Sequence, residues 1–98
     1  MPAYVIVDID VTDPERYEQY KAATPATIAA ADGRFLVRGG GITILEGDWQ
    51  PTRLVVLEFE TLAAAERWYE SAAYQAAKKL REGGAHMRMV AVQGFEPD

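Results

Sequence analysis

Four short stretches of this chain, Tyr4 to Val11, Arg34 to Arg38, Leu54 to Glu60 and Met87 to Phe95, alternate with the two-residue period of β-strands and carry two unlike faces. One face is cleanly apolar: Val5, Val7, Ile9 and Val11 in the first stretch, Phe35 and Val37 in the second, Val55, Leu57 and Phe59 in the third, Val90 and Val92 in the fourth. The other mixes Tyr4, Ile6, Leu36, Val56, Met89 and Ala91 with the charges of Asp8, Arg38 and Glu58. A sheet with one solvated side would place polar residues there, so a second face that is mostly apolar predicts cover on both sides.

The segments between these strands read as helices. Asp13-Pro14-Glu15 has a capping carboxylate, a proline whose missing N–H costs nothing in the first turn, and an acid at the positive end of the dipole. Tyr17, Tyr20, Thr24, Ile28 and Ala31 come next at helical spacing, which predicts a helix over about Asp13 to Asp32, bent at Pro25 and ended by Gly33. From Thr61, a second run puts Leu62, Ala65, Trp68, Ala72, Ala76 and Leu80 on one face, ending at Gly83-Gly84. Ser71 is placed to cap a fresh turn and divide that run in two. Arg34 to Glu46 reads as one strand with a bulge at Gly39-Gly40-Gly41, followed by a turn through Trp49 to Pro51.

The resulting order, βαββαβ, is the ferredoxin-like α+β arrangement, an antiparallel sheet with two helices on one face. Those helices take the clean face, and no segment is left for the mixed one. Burying its large apolar residues would contribute about 1.5–3 kcal/mol each, and a second copy of the sheet is the economical cover. The expectation is a homodimer with two sheets face to face, closing a barrel-like core.

Composition narrows the function classes. At 98 residues the chain fits a single domain, 1–98, with no room for a separate cofactor domain. Its net charge of −5, without a basic stripe, argues against nucleic acid. The absence of cysteine removes disulfides, thiolate metal sites and a thiol nucleophile. No metal site and no cofactor is expected. No secretory leader pattern follows Met1 and no apolar run is long enough to span a bilayer, so the expectation is a cytoplasmic protein with no membrane partner.

Several residues are candidates for chemistry. Arg38 could fix a carboxylate or enolate ligand with Glu58 as orienter or general base, or the two could form a cross-strand ion pair. Asp8 could join either arrangement or sit at a solvated strand end. His86, the sole histidine, is a candidate acid or base and equally a surface residue; alone it makes no metal site. Tyr17, Tyr20, Trp68, Tyr69 and Tyr74 could line a ligand pocket over the sheet or fill the core, with Tyr20 and Tyr74 taken as the ligand-binding pair. Ser71 lacks an acidic or histidine neighbour for a nucleophile, Gly39-Gly40-Gly41 lacks the helix a phosphate loop needs, and Trp49 reads as a packing anchor at the dimer edge or against the second helical run.

With these residues in view, the chain resembles the bacterial family catalogued as domain of unknown function 1330. The likeness is carried by Tyr4-Val5-Ile6-Val7, Val11-Thr12-Asp13-Pro14-Glu15 with Tyr17 and Tyr20, Gly33 through Gly40, Leu45 through Trp49, Arg53 to Phe59, and Trp68 through Ser71 with Tyr74-Gln75. The resemblance implies the dimeric α+β-barrel superfamily, which includes cofactor-free monooxygenases, and lends no catalytic residues. Asp32 departs from a pattern that often has a second glycine there, and Glu96-Pro97-Asp98 extends past the family's usual end as a frayed tail. The function expected is binding, and in the stronger form cofactor-free conversion, of a small, partly apolar, anionic or enolisable molecule. The alternative is a non-catalytic dimer whose buried charges only set the assembly.

Overall fold

In the computed structural model, which describes residues 1–96, the chain runs β1 (Ala3–Val11), α1 (Pro14–Ala30), β2 (Arg34–Arg38), β3 (Arg53–Phe59), α2 (Leu62–Glu70), α3 (Ala72–Leu80) and β4 (Ala85–Gln93). This is the expected ferredoxin-like order, and the tail expected at Pro97 and Asp98 lies outside the described residues. The strands form one antiparallel sheet in the order β2-β3-β1-β4. Val5, Val7, Ile9, Val55, Leu57 and Phe59 on one sheet face are buried with Tyr17, Tyr20, Ile28, Trp68 and Tyr74 of the helices. Period-two and period-3.6 apolar patterns meet there as one core.

Local chemistry sets the helix ends. Asp13 Oδ1 accepts from the Glu15 and Arg16 amides at 3.1 and 3.4 Å, and Thr61 Oγ1 accepts from the Ala64 amide at 3.0 Å. Ser71 does divide the second helical run: its hydroxyl donates to the Trp68 carbonyl at 2.7 Å and accepts from the Tyr74 amide at 3.1 Å. The break resets the helical phase. Ala65 and Trp68 are buried in α2 but Tyr74 and Ala77 in α3, so Ala72, Ala76 and Leu80 do not continue the inner face as expected.

At the end of α1 the positive φ belongs to Asp32, at 59°, rather than to Gly33. The Asp32 amide donates to Ala29 and the Gly33 amide to Ile28, a closing motif that calls for a left-handed residue at Asp32. Gly33 is needed for space, because a Cβ there would lie 2.5 Å from Phe59 Cε1.

Three strand expectations are corrected. The bulge falls inside β2, between Phe35 and Val37, and inverts the phase of the residues beyond it: Val37 pairs with Val56 on the open face and Arg38 with Val55 on the helix face. The segment after Arg38 is not a strand; Ile42, Ile44 and Leu45 lie in an exposed arm. Its root is fixed at Gly39, φ 72°, where a Cβ would run into the Arg53 guanidinium. In β4 the faces are exchanged, since Met87, Met89 and Ala91 stand opposite Ile9, Val7 and Val5, while Val90 and Val92 stand opposite Ile6 and Tyr4.

The mixed face therefore carries Tyr4, Ile6, Asp8, Val37, Val56, Glu58, Arg88, Val90 and Val92. It stays open in the single chain, with Val90 60% and Val92 47% exposed.

Candidate functional site

The expected pair does not form. Arg38 and Glu58 are on opposite sides of the sheet, a consequence of the β2 bulge. Arg38 lies 4.5 Å over the Phe35 ring and its Nη2 donates to the Lys21 carbonyl at 3.1 Å. Glu58 accepts from Arg34 Nε at 2.7 Å. Asp8, on the open face, accepts from Arg88 Nη2 at 2.6 Å and from the Trp49 indole at 3.0 Å. These hydrogen bonds, Trp49's first and then Arg88's, hold the Asp8 carboxyl below the usual carboxylate range. His86 is exposed on β4 opposite Asp10, so it shares the open face with Asp8 but stands apart from Glu58. Trp49 remains 53% exposed in the single chain, where its indole bonds to Asp8.

Tyr20 and Tyr74 are brought together, 6% and 0% exposed, with their hydroxyl oxygens 3.0 Å apart. Burial, and then Tyr74, push the Tyr20 phenol well above its ordinary value, so it is a neutral hydrogen-bonding group inside the fold. Arg81 places its guanidinium carbon 5.5 Å from the centre of the Tyr20 ring.

Beyond that aromatic cluster a cavity of about 580 Å³ opens between α2, α3 and β4. Val5, Ala65, Trp68, Met87, Met89 and Ala91 give it an apolar lining, and Glu66, Tyr69, Glu70, Lys78 and Arg81 supply polar groups. The size and the mixture suit a small molecule with one charged end. Lys78 Nζ donates to the Tyr69 hydroxyl at 2.6 Å. Arg81 Nε is buried without a hydrogen-bond partner among the described residues, and an unsatisfied buried donor is an energetic burden of about 1–3 kcal/mol. From sequence, Tyr69 stood out only as an aromatic, and Lys78 and Arg81 did not stand out at all. A signal was present: Lys78 and Arg81, three residues apart, put two cations on one face at the end of the helix that follows Tyr69.

A larger hollow of about 900 Å³ lies on the open face among Ile6, Asp8, Asp10, Asp48, Trp49, Arg88 and Val90. Its Asp8 and Arg88 are already paired with each other, and it belongs to the face that a second sheet would cover. Among the described residues no helix is long and apolar enough to cross a membrane.

Comparison with known proteins agrees with this architecture. The family described as Domain of unknown function (DUF1330) matches residues 2–95. A protein of unknown function from Rhodopseudomonas palustris superposes with a TM-score of 0.77 at 17% identity, over 98% of this chain and 84% of that one. SnoaB, a cofactor-independent oxygenase from Streptomyces nogalater, is similar at TM-score 0.64 and 14% identity, over 98% and 95% of the two chains. A dimeric ferredoxin-like protein of unknown function from Thermobifida fusca gives 0.64 at 17% identity, over 95% and 91%. At these identities the likeness is one of fold. No curated protein matches the chain.

Proposed function

The chain belongs to the DUF1330 family, and from that premise we propose that it binds a small, partly apolar anion in the cavity between α2, α3 and β4, and works as a homodimer joined through the open sheet face. The observation that carries the ligand reading is Arg81, whose buried Nε has no partner and whose side chain lines the cavity beside Lys78, facing the apolar Trp68, Met87 and Met89. A carboxylate or oxyanion in the cavity would accept charge-assisted hydrogen bonds from the Arg81 guanidinium. The body of the ligand would rest on Trp68, Met87 and Met89, an aromatic and two adaptable thioethers.

The dimer reading is supported by the exposed apolar residues of the open face and by a protein of similar fold that is described as dimeric. The alternative, a dimer set only by buried charges, has less to draw on, since Asp8 and Glu58 are both paired within their own chain.

A thermal-shift series with small aryl and alkyl carboxylates and phenols tests the ligand reading, because a ligand that binds only the folded state raises the midpoint with RT ln(1 + [L]/Kd). The expected result is a shift for an arylalkyl carboxylate that disappears in Arg81→Met. No shift across the series, or an unchanged shift in Arg81→Met, would sink it.

A further inference from the structure

The Tyr69 hydroxyl is engaged in an asymmetric way. Lys78 Nζ, a group with donors only, approaches its oxygen at 2.6 Å, so one lone pair of Oη is taken and the phenolic proton must point elsewhere. Among the described residues no acceptor takes that proton, while Tyr69 lines the cavity together with Arg81. The Tyr69 carbonyl is fixed separately by Gln75 Nε2 at 2.7 Å, which holds the end of α2 against α3. The phenol is thus held at both its backbone and its oxygen, with its proton available.

We infer that Tyr69, polarised by Lys78, is a catalytic proton donor, and that the cavity enolises 2-oxo acids bearing an apolar substituent. This rests on the ligand reading above and adds a reaction to it. Arg81 would take the carboxylate, Tyr69 the neighbouring carbonyl oxygen, and Trp68 with the methionines the substituent. Glu66 and Glu70, one helical turn apart and both at the cavity, supply the base.

In the step, a carboxylate of that pair removes a proton from the carbon next to the carbonyl. The electron pair of the broken C–H bond forms the C=C bond of the enol, the carbonyl π pair moves onto oxygen, and that oxygen takes the Tyr69 proton. The phenolate left behind lies against the Lys78 ammonium, which is a positioning and charge-stabilising residue here. One proton has passed from Tyr69 to the ligand and one from the ligand to the glutamate, and exchange with water restores both. Nothing is oxidised or reduced.

The test uses phenylpyruvate in D2O with the full chain, reading C3 proton exchange by NMR and binding by thermal shift in the same samples. Exchange faster than in protein-free buffer is expected. Tyr69→Phe should keep the thermal shift and lose about 100-fold in exchange, the usual scale of a general acid. Lys78→Met should lower exchange while Lys78→Arg, which keeps the cation, restores part of it. Phenylpyruvate that binds but exchanges at the buffer rate overturns this inference and leaves the ligand reading standing, as does a Tyr69→Phe variant exchanging at the wild-type rate. Absence of any shift with phenylpyruvate and with the other carboxylates overturns both.

Discussion

Arg38 donates to the carbonyl of Lys21, the very group that Pro25, four residues further along α1, leaves without a helical N–H. The side chain expected to bind a ligand is completing the backbone hydrogen bonding of a helix that a proline interrupts. Nearby hydroxyls adapt the same stretch, with Thr24 Oγ1 donating to the Tyr20 carbonyl at 2.7 Å.

Arg38→Ala should therefore cost about 1 kcal/mol, the scale of one partly exposed hydrogen bond. Pro25→Ala restores an N–H for the Lys21 carbonyl, so Arg38→Ala should cost less in that background. Urea unfolding of the four variants in a double-mutant cycle measures the coupling. Additivity would show that Arg38 acts through Phe35 alone.

Asp32→Gly should stabilise the fold by about 0.5–1 kcal/mol. Asp32 holds φ 59°, which glycine adopts without a Cβ penalty, and its carboxylate sits at the negative end of α1. For a chain of this length that is a rise of roughly 2–8 °C in Tm. An unchanged melting curve would mean that the aspartate's own local bonding offsets the strain.

These two sites show how far the sequence could be read. β1 was legible because one phase is wholly aliphatic through Val5, Val7 and Ile9 while the other carries Asp8 and Asp10, so only the first can face the helices. β4 was not, because both of its phases are apolar and the β-branched pair Val90 and Val92 occupies the open one. The cue lay in Arg88, which shares their parity and meets Asp8 across the ladder. Arg38 was misplaced by a single extra residue in β2, since bulges leave little trace in a five-residue strand. The cavity was hidden for another reason: its polar groups come from α2 and α3, and their meeting depends on the angle that Ser71 introduces.

Tyr20 and Tyr74 should be strongly coupled. Removing one hydroxyl strands the other in a buried site, so Tyr74→Phe is expected to cost about 1–3 kcal/mol and the double Phe variant clearly less than the sum of the singles. The raised ionisation of Tyr20 has a sign that can be checked: above pH 10, the ordinary value, the unfolded phenol loses its proton while the folded one keeps it, so stability falls as pH rises. Denaturation midpoints between pH 8 and about 11 track this loss, with a shallower fall in Tyr20→Phe.

The Asp8 contact should respond at the acid end. A depressed folded pKa favours the carboxylate, so its contribution is present above pH 3.8 and is lost as pH falls through the lower folded value. Trp49 reports it directly through its indole hydrogen bond. Its fluorescence, taken as the difference from Trp49→Phe to remove buried Trp68, should change in that acid range, and Asp8→Asn should abolish the transition. A Trp49 signal indifferent to Asp8→Asn would dissociate the arm from this carboxylate.

The proposed dimer has its own test on the open face. Val92 is 47% exposed, stands opposite Tyr4 in the ladder, and lines neither the cavity nor the helix-side core. In a two-fold interface any change is presented twice, so Val92→Lys places two ammonium groups in one apolar contact. Each would lose hydration there without a counter-charge, a cost far larger than the few tenths of a kcal/mol expected for an exposed residue. Sedimentation equilibrium at micromolar concentration should give a dimer for the wild type and a folded monomer for Val92→Lys. A monomeric wild type would overturn the assembly, and a dimeric Val92→Lys would move the interface off this face.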